Sequence, residues 1–201
     1  MCMSAGDRQV DVDLDAVRAA LRTAVVEALE RMAAEHGDER LYGLSLYDGS
    51  EYGYVCVTPH TEEALDRRTE EYRRRSPDAL GRSGREGLRW SVPDSPYHQL
   101  AGVGCPPLVS DEDQYDLWEA WEEDDEPLHA YRRSIREVCL EVLRAVDAEG
   151  RSGADRAEVT LMVVDRDEVE SIDELRAMIA SLNPPALLAR YDRWREVIDG
   201  E

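Results

Sequence analysis

The stretch LYGLSLYDGSEYGYVCVTP, residues 41–59, decides the fold. Tyr42, Leu44 and Leu46 alternate on one side, and Tyr52, Tyr54, Cys56 and Thr58 take up the alternation after Asp48-Gly49. A period of two is the spacing of a strand with one buried face. Asp48-Gly49 is a strong hairpin signal, because glycine accepts a positive φ freely, and Pro59 ends the second strand. An antiparallel hairpin is therefore expected near the start of the chain.

Outward from the hairpin the spacing changes. Leu14, Val17, Leu21, Val25, Ala28 and Met32 recur every three or four residues, which predicts a helix capped by Asp13, with Gly37 just past its end. Thr61 opens TEEALDRRTEEYRRR as an N-cap, with acids early and arginines late, as a helix dipole favours. Residues 76–87 read as a loop, and Leu88, Trp90 and Val92 alternate as a short third strand. Pro93, Pro96, Pro106 and Pro107 make 93–109 a long irregular loop. Ser110 with Asp113 resembles a capping box opening a further helix, which Pro127 closes.

Leu128, Tyr131, Ile135, Val138, Val142 and Val146 mark an amphipathic helix ending near Gly150. VTLMVV, residues 159–164, is β-branched and continuously apolar, hence a central strand buried on both faces. Ile172, Leu175, Ile179 and Leu182 predict a helix stopped by Asn183-Pro184-Pro185, and Leu187, Tyr191, Trp194 and Ile198 the last one. The order α-β-β-α-β-α-α-β-α-α predicts an α+β fold: an antiparallel or mixed sheet of about four strands with helices packed on it. We expect one domain over 1–201, with a flexible N-terminus over 1–11.

The 201 residues suit one domain, and an apolar fraction of 42% supplies a core. The formal charge is −21, from 45 acidic and 24 basic residues, which repels nucleic acid and anionic membranes and attracts cations or basic proteins. Every basic residue is arginine, Phe is absent, and Asn occurs once, at Asn183. A GC-rich genome accounts for that bias. Cys2, Cys56, Cys105 and Cys139 fit no zinc spacing. Cys56 and Cys139 fall on apolar positions, where free thiols suit a reducing compartment. With neither a signal-peptide pattern in MCMSAGDRQVDVD nor an apolar run of about 20 residues, a cytoplasmic protein is expected.

LYGLSLY, the HTEEAL helix start, LRWSVPD, and VTLMVVDRDEV followed by SLNPPALLARYDRW together resemble an uncharacterised bacterial family catalogued as domain of unknown function 4303. The pieces span roughly residues 10–198. Relatives tend to carry a second tryptophan shortly after the Trp-Ser-Pro segment; here Val92 intrudes before Pro93 and Tyr97 occupies that region. The resemblance implies a single α+β domain and brings no catalytic residues with it. Small soluble families of this kind commonly serve as immunity proteins beside toxin genes, an analogy rather than a derivation.

The sequence holds no catalytic signature. His36, His60, His98 and His129 are scattered, and Ser45, Ser91 and Ser110 lack a nucleophile-elbow setting. There is no GxGxxG and no P-loop, and no metal or cofactor is expected. Counted from Asp111, a calcium loop would need Gly where Asp116 stands. Six arginines between Arg73 and Arg89 could hold phosphate, but the favoured reading is that they cap the TEEALDRRTEEYRRR helix and pair with the acidic helix of the same molecule. Trp90 and Trp194 fall on apolar faces and read as core. For an enzyme, the alternative, the most plausible participants are Asp165 at a strand end and His98 in the long proline-rich loop. A housekeeping module is the third reading.

The remaining feature is SDEDQYDLWEAWEEDDEP, residues 110–127, with ten acids, no base, and Tyr115, Trp118 and Trp121 among them. As one helix it would carry like-charged i,i+3 and i,i+4 pairs costing about 2–4 kcal/mol together, against a typical stability of about 5–15 kcal/mol. Arg132, Arg133 and Arg136, the arginines of 73–89, or a basic partner could offset that cost. The candidate partner-binding residues are Asp111, Glu112, Asp113, Asp116, Trp118, Glu119, Trp121, Glu122 and Glu123. We expect a non-catalytic binding protein, an immunity-type inhibitor of a basic, nuclease-like toxin.

Overall fold

The computed structural model describes residues 13–49, 54–76, 78, 80–81, 84–98, 100, 126–152, 156–165 and 172–199, with backbone alone at 127, 128 and 172. The N-terminal stretch expected to be flexible lies outside them. In chain order the elements are α1 (Leu14–Glu35), β1 (Leu41–Gly49), β2 (Tyr54–Thr61), α2 (Glu62–Arg75), α3 (Gly84–Trp90), a 3-10 turn (Val92–Asp94), α4 (Glu126–Ala148), β3 (Thr160–Asp165), α5 (Ile172–Leu182) and α6 (Pro185–Asp199). The fold is α+β, as expected, with a mixed sheet ordered β2-β1-β3. β1 pairs antiparallel with β2 and parallel with β3.

Register sorts the strand residues onto two faces. Leu44, Leu46, Val55, Val57, Leu161 and Val163 share one face and pack against Val17, Leu21 and Val25 of α1 and Ile135, Val142 and Leu143 of α4. A fully buried Leu or Ile side chain contributes about 1.5–3 kcal/mol by leaving water, so this aliphatic layer is the main core. The opposite face carries Ser45, Tyr47, Thr58, His60 and Met162. Met162 meets Trp90, Val92, Ile179 and Tyr191, with Trp194 stacked on Trp90 at 5.8 Å.

The expected helix starts are present. Asp13 Oδ1 accepts from the amides of Asp15 and Ala16, and Thr61 Oγ1 from that of Ala64. Gly150, at φ 71°, follows the end of α4 and takes a turn that L side chains rarely adopt. Pro127 stands in the first turn of α4, where a missing N–H costs nothing, and the helix it is expected to close lies outside the described residues.

Four expectations are corrected. Asp48-Gly49 is not the turn: both belong to β1, opposite Val55 and Tyr54, and the connection falls on 50–53, outside the described residues. Gly49 serves close approach instead, because a Cβ there would lie 2.7 Å from the Tyr54 ring. Tyr42 does not share the face of Leu44 and Leu46. A register shift between Leu41 and Gly43 turns it toward Leu65 and Leu88. The segment 88–92 is no strand, so the described residues hold three strands rather than about four. Leu88 and Trp90 alternate because the short α3 is buried on two sides, Leu88 against Tyr42 and Leu65, Trp90 against Tyr191.

Finally, β3 is an edge of the described sheet, and β1 is its centre. The apolar run of β3 reports helices on both faces. Its outer backbone is satisfied by a side chain: Asn183 Oδ1 accepts from Leu161 N at 2.7 Å, while Nδ2 donates to the carbonyls of Leu161 at 2.7 Å and Ile179 at 2.9 Å. The one asparagine of the chain thus acts as a surrogate strand and ties the end of α5 to β3. Replacing Asn183 by Ala should lower stability by about 2–4 kcal/mol, since it strands the N–H and the carbonyl of Leu161 at the strand edge, while the Ile179 carbonyl keeps the backbone amide of residue 183. Urea unfolding of the variant against the wild type measures this, and a loss below about 0.5 kcal/mol would remove the surrogate-strand role.

Candidate functional site

Asp111, Glu112, Asp113, Asp116, Trp118, Glu119, Trp121, Glu122 and Glu123 all lie outside the described residues. The last acid of the stretch, Glu126, opens α4 and accepts a hydrogen bond from Arg133 at 2.8 Å. The described surroundings of the stretch are therefore the first turns of α4 and what holds them.

What holds them is charge at the end of the parallel strands. Asp48 of β1 stands opposite Asp165 of β3, and both are buried, at 2% and 5% exposure. They continue the register of Leu46 and Val163, so they lie on the face that α4 covers. Arg136 of α4 donates to Asp165 at 3.4 Å, and Arg132, one turn earlier, is buried as well. Burial pushes the Cys139 thiol well up, the Asp48 charge adds to this, and Arg136 opposes it. The Tyr131 phenol is raised by burial first and by Asp48 second. Cys139 is thus a neutral thiol and no nucleophile. A buried ion pair of this kind adds little net stability over apolar residues, but fixes where a helix sits.

His98 and Asp165 do not meet in one pocket. His98 bonds Thr58 at 3.1 Å and lies edge-on to Tyr47 at 5.0 Å, both on the polar face of the sheet, while Asp165 is on the aliphatic face. Ser45 Oγ and His60 Nε2 do meet, at 2.8 Å, a pairing that scattered sequence positions gave no reason to connect. Both are buried at 2% exposure or less. Burial, then the nearby charges of His98 and Arg89, push His60 down to about 3, so it stays neutral. The cavity beside it, lined by Tyr42, Arg68, Asp94 and Ser95 among others, measures about 10 Å³, room for one water and no substrate. Among the described residues no group of His, Cys, Asp and Glu could hold a metal ion. Among them, too, no helix is long and apolar enough to cross a membrane.

Four arginines of 73–89 hold carboxylates of their own neighbourhood. Arg85 meets Glu62 at 2.5 Å and Asp66 at 2.6 Å. Arg89 meets Glu62 at 2.6 Å and Glu86 at 3.5 Å, while its guanidinium lies 4.1 Å over the Tyr42 ring. Arg74 and Arg75 pair one turn back with Glu70 and Glu71. Arg190 of α6 closes the group onto Glu86 at 2.8 Å. These pairs occupy the forks that a phosphate would need. Since Arg89 is 4% exposed, Arg89→Met should cost about 1.5–3 kcal/mol by removing charged hydrogen bonds to Glu62 and leaving it to Arg85. Arg74→Met, at an exposed pair, should change stability by less than about 0.5 kcal/mol. Equal costs in thermal or urea unfolding would contradict this division.

Neither a curated protein nor a solved structure gives a significant match to the chain. One family model does match, over residues 21–184, from the middle of α1 to the junction after α5. The chain belongs to the family described as Domain of unknown function (DUF4303).

Proposed function

We propose that the protein is a non-catalytic acidic binding protein that inhibits a basic partner, a nuclease-like toxin being the simplest, and that residues 110–127 meet it. The observation that carries this is where the nearby arginines go. Arg74, Arg75, Arg85 and Arg89 hold carboxylates of α2 and α3, while Arg133 and Arg136 hold Glu126 and Asp165. Arg74, Arg75, Arg85, Arg89 and Arg136 thus serve acids outside the stretch, while Arg133 serves only its last acid, Glu126. A cleft built to hold phosphates is basic and concave, and a run of carboxylates with Trp118 and Trp121 among them has the residue types of a plug for it.

A charge of −21 disfavours nucleic acid and anionic membranes as direct partners. We assign the protein to the bacterial cytoplasm, where the buried free thiols of Cys56 and Cys139 suit a reducing environment. A toxin-like gene beside its own would favour inhibition over a housekeeping role.

With a basic nuclease encoded by such a neighbour as the probe, association should slow about tenfold or more between roughly 50 and 300 mM salt. Reversing Glu119, Glu122 and Glu123 to Arg together should slow it by a similar factor, with the unfolding midpoint preserved. Stopped-flow association kinetics read both. Unchanged capture by the triple variant would end this proposal.

A further inference from the structure

The polar face of the sheet carries a second feature, independent of the acidic stretch. Thr58 and His60 lie two residues apart on β2 and share that face. His60 is sealed by Ser45 and by the Tyr42 ring at 5.7 Å. His98 ends the segment Val92–His98 and touches the sheet twice, through Thr58 and Tyr47. The same segment is tied down by Ser95 Oγ donating to the Pro59 carbonyl at 3.0 Å. Asp94 accepts from Tyr72 at 2.6 Å and Ser91 at 2.7 Å, and faces Arg68 at 3.5 Å. Tyr97 donates to Glu39 at 2.8 Å and accepts from Arg67 at 2.9 Å, with His36 3.3 Å away. Val92 adds buried packing against Trp90 and Met162, and Tyr97 against Met32 and Ala64, whereas the aliphatic core under α1 and α4 lies on the other face.

We propose that His98 is an acid-sensitive joint: mild acid detaches Val92–His98 from β2 while the core between the sheet, α1 and α4 stays folded. Among the described residues, the groups bearing on His98 are Tyr47 of β1 and Thr58 and His60 of β2. None is an anion. Beyond them stand Arg89 on the His60 side, the Arg68–Asp94 pair, and Glu39, Arg67 and His36 around Tyr97. Among the described residues, a charged imidazole at this joint therefore loses water without gaining a carboxylate.

The sign follows from which state takes up the proton. Burial holds the His98 imidazole below the ordinary histidine value of about 6.5. Above that value neither state is protonated and attachment is at full strength. Below it the detached segment binds a proton that the attached one refuses, so attachment weakens by up to about one decade per pH unit. The carboxylates respond later. Burial works against the Glu39 charge, but hydrogen bonds from Arg67, Thr61 and Tyr97 outweigh it and hold Glu39 below the usual carboxylate value of 4.5. Its contribution is present above that value and is lost only as pH falls toward its folded value. The window between roughly pH 6.5 and 4.5 is left to histidine.

Hydrogen exchange read by mass spectrometry at about pH 7 and about pH 5 tests this on the full chain, with His98→Phe and His98→Gln beside the wild type. After correction for intrinsic rates, Val92–His98 should open about tenfold more readily at the lower pH, and amides of α1, β1 and α4 less than about twofold. Both variants should lose the acid response of the segment. The wild-type His98 ring, followed by NMR, should titrate below about 6.5 with the segment's opening. Protection unchanged at the lower pH, loss shared with the core, or an acid response surviving in both variants would each overturn the proposal. So would a His98 ring that titrates at the free value, which also decides the case should both variants be detached already at neutral pH.

Discussion

Cations are the scarce resource in this molecule: 45 carboxylates share 24 guanidiniums. Each arginine placed against one acid is less available to another. The described residues place many of them between elements. Arg18 and Arg22 of α1 reach Glu141 of the neighbouring α4 and Glu149 just past its end. Arg85, Arg89 and Arg190 join α2, α3 and α6 through Glu62 and Glu86, and Arg176 joins α5 to Asp192 of α6. Exposed pairs of this sort each contribute little. Together they set which acids have company, and an acidic stretch with no base of its own depends on what is left.

The sheet turns that distribution into architecture. One face is filled by aliphatic side chains until its last residues, where Asp48 and Asp165 meet the arginine-bearing helix α4. The first turns of α4, which follow the acidic stretch directly in the chain, are thereby held by a charged contact rather than by packing alone. The other face is built from hydroxyls, histidines and aromatics and carries the Val92–His98 segment. A strongly acidic chain thus keeps one face of its sheet aliphatic up to the Asp48–Asp165 end and places its hydroxyls and histidines on the other.

Much of the fold was legible because burial writes itself into spacing. Val17, Leu21, Val25 and Ala28 face the core at the three-and-four spacing expected of α1, and Asp13 and Thr61 cap as small polar residues before apolar runs do. The failures share a cause. Leu88 and Trp90 look like a strand because α3 is buried on two sides, and alternation cannot distinguish that from a sheet. VTLMVV looks central because its faces are covered, while its edge is satisfied by Asn183, a partner 22 positions away from Leu161. Asp48-Gly49 carries turn chemistry but is used for the approach of Tyr54. At the site, reading Asp48-Gly49 as a turn hid a carboxylate that β1 carries onto the core face beyond Leu44 and Leu46. Only the register with β3 brings Asp165 beside it, and only the fold brings His60 to Ser45.

The central claim is that the carboxylates of 110–127 lack sufficient counter-charge within their own chain. The most direct measurement is the unfolding free energy, by urea titration, of a variant carrying Gln at Glu119, Glu122 and Glu123 together. Relief of like-charge repulsion predicts a stability equal to that of the wild type or higher by up to about 1 kcal/mol. A loss of about 1 kcal/mol or more would mean that arginines of this chain already hold those carboxylates, and would contradict the account.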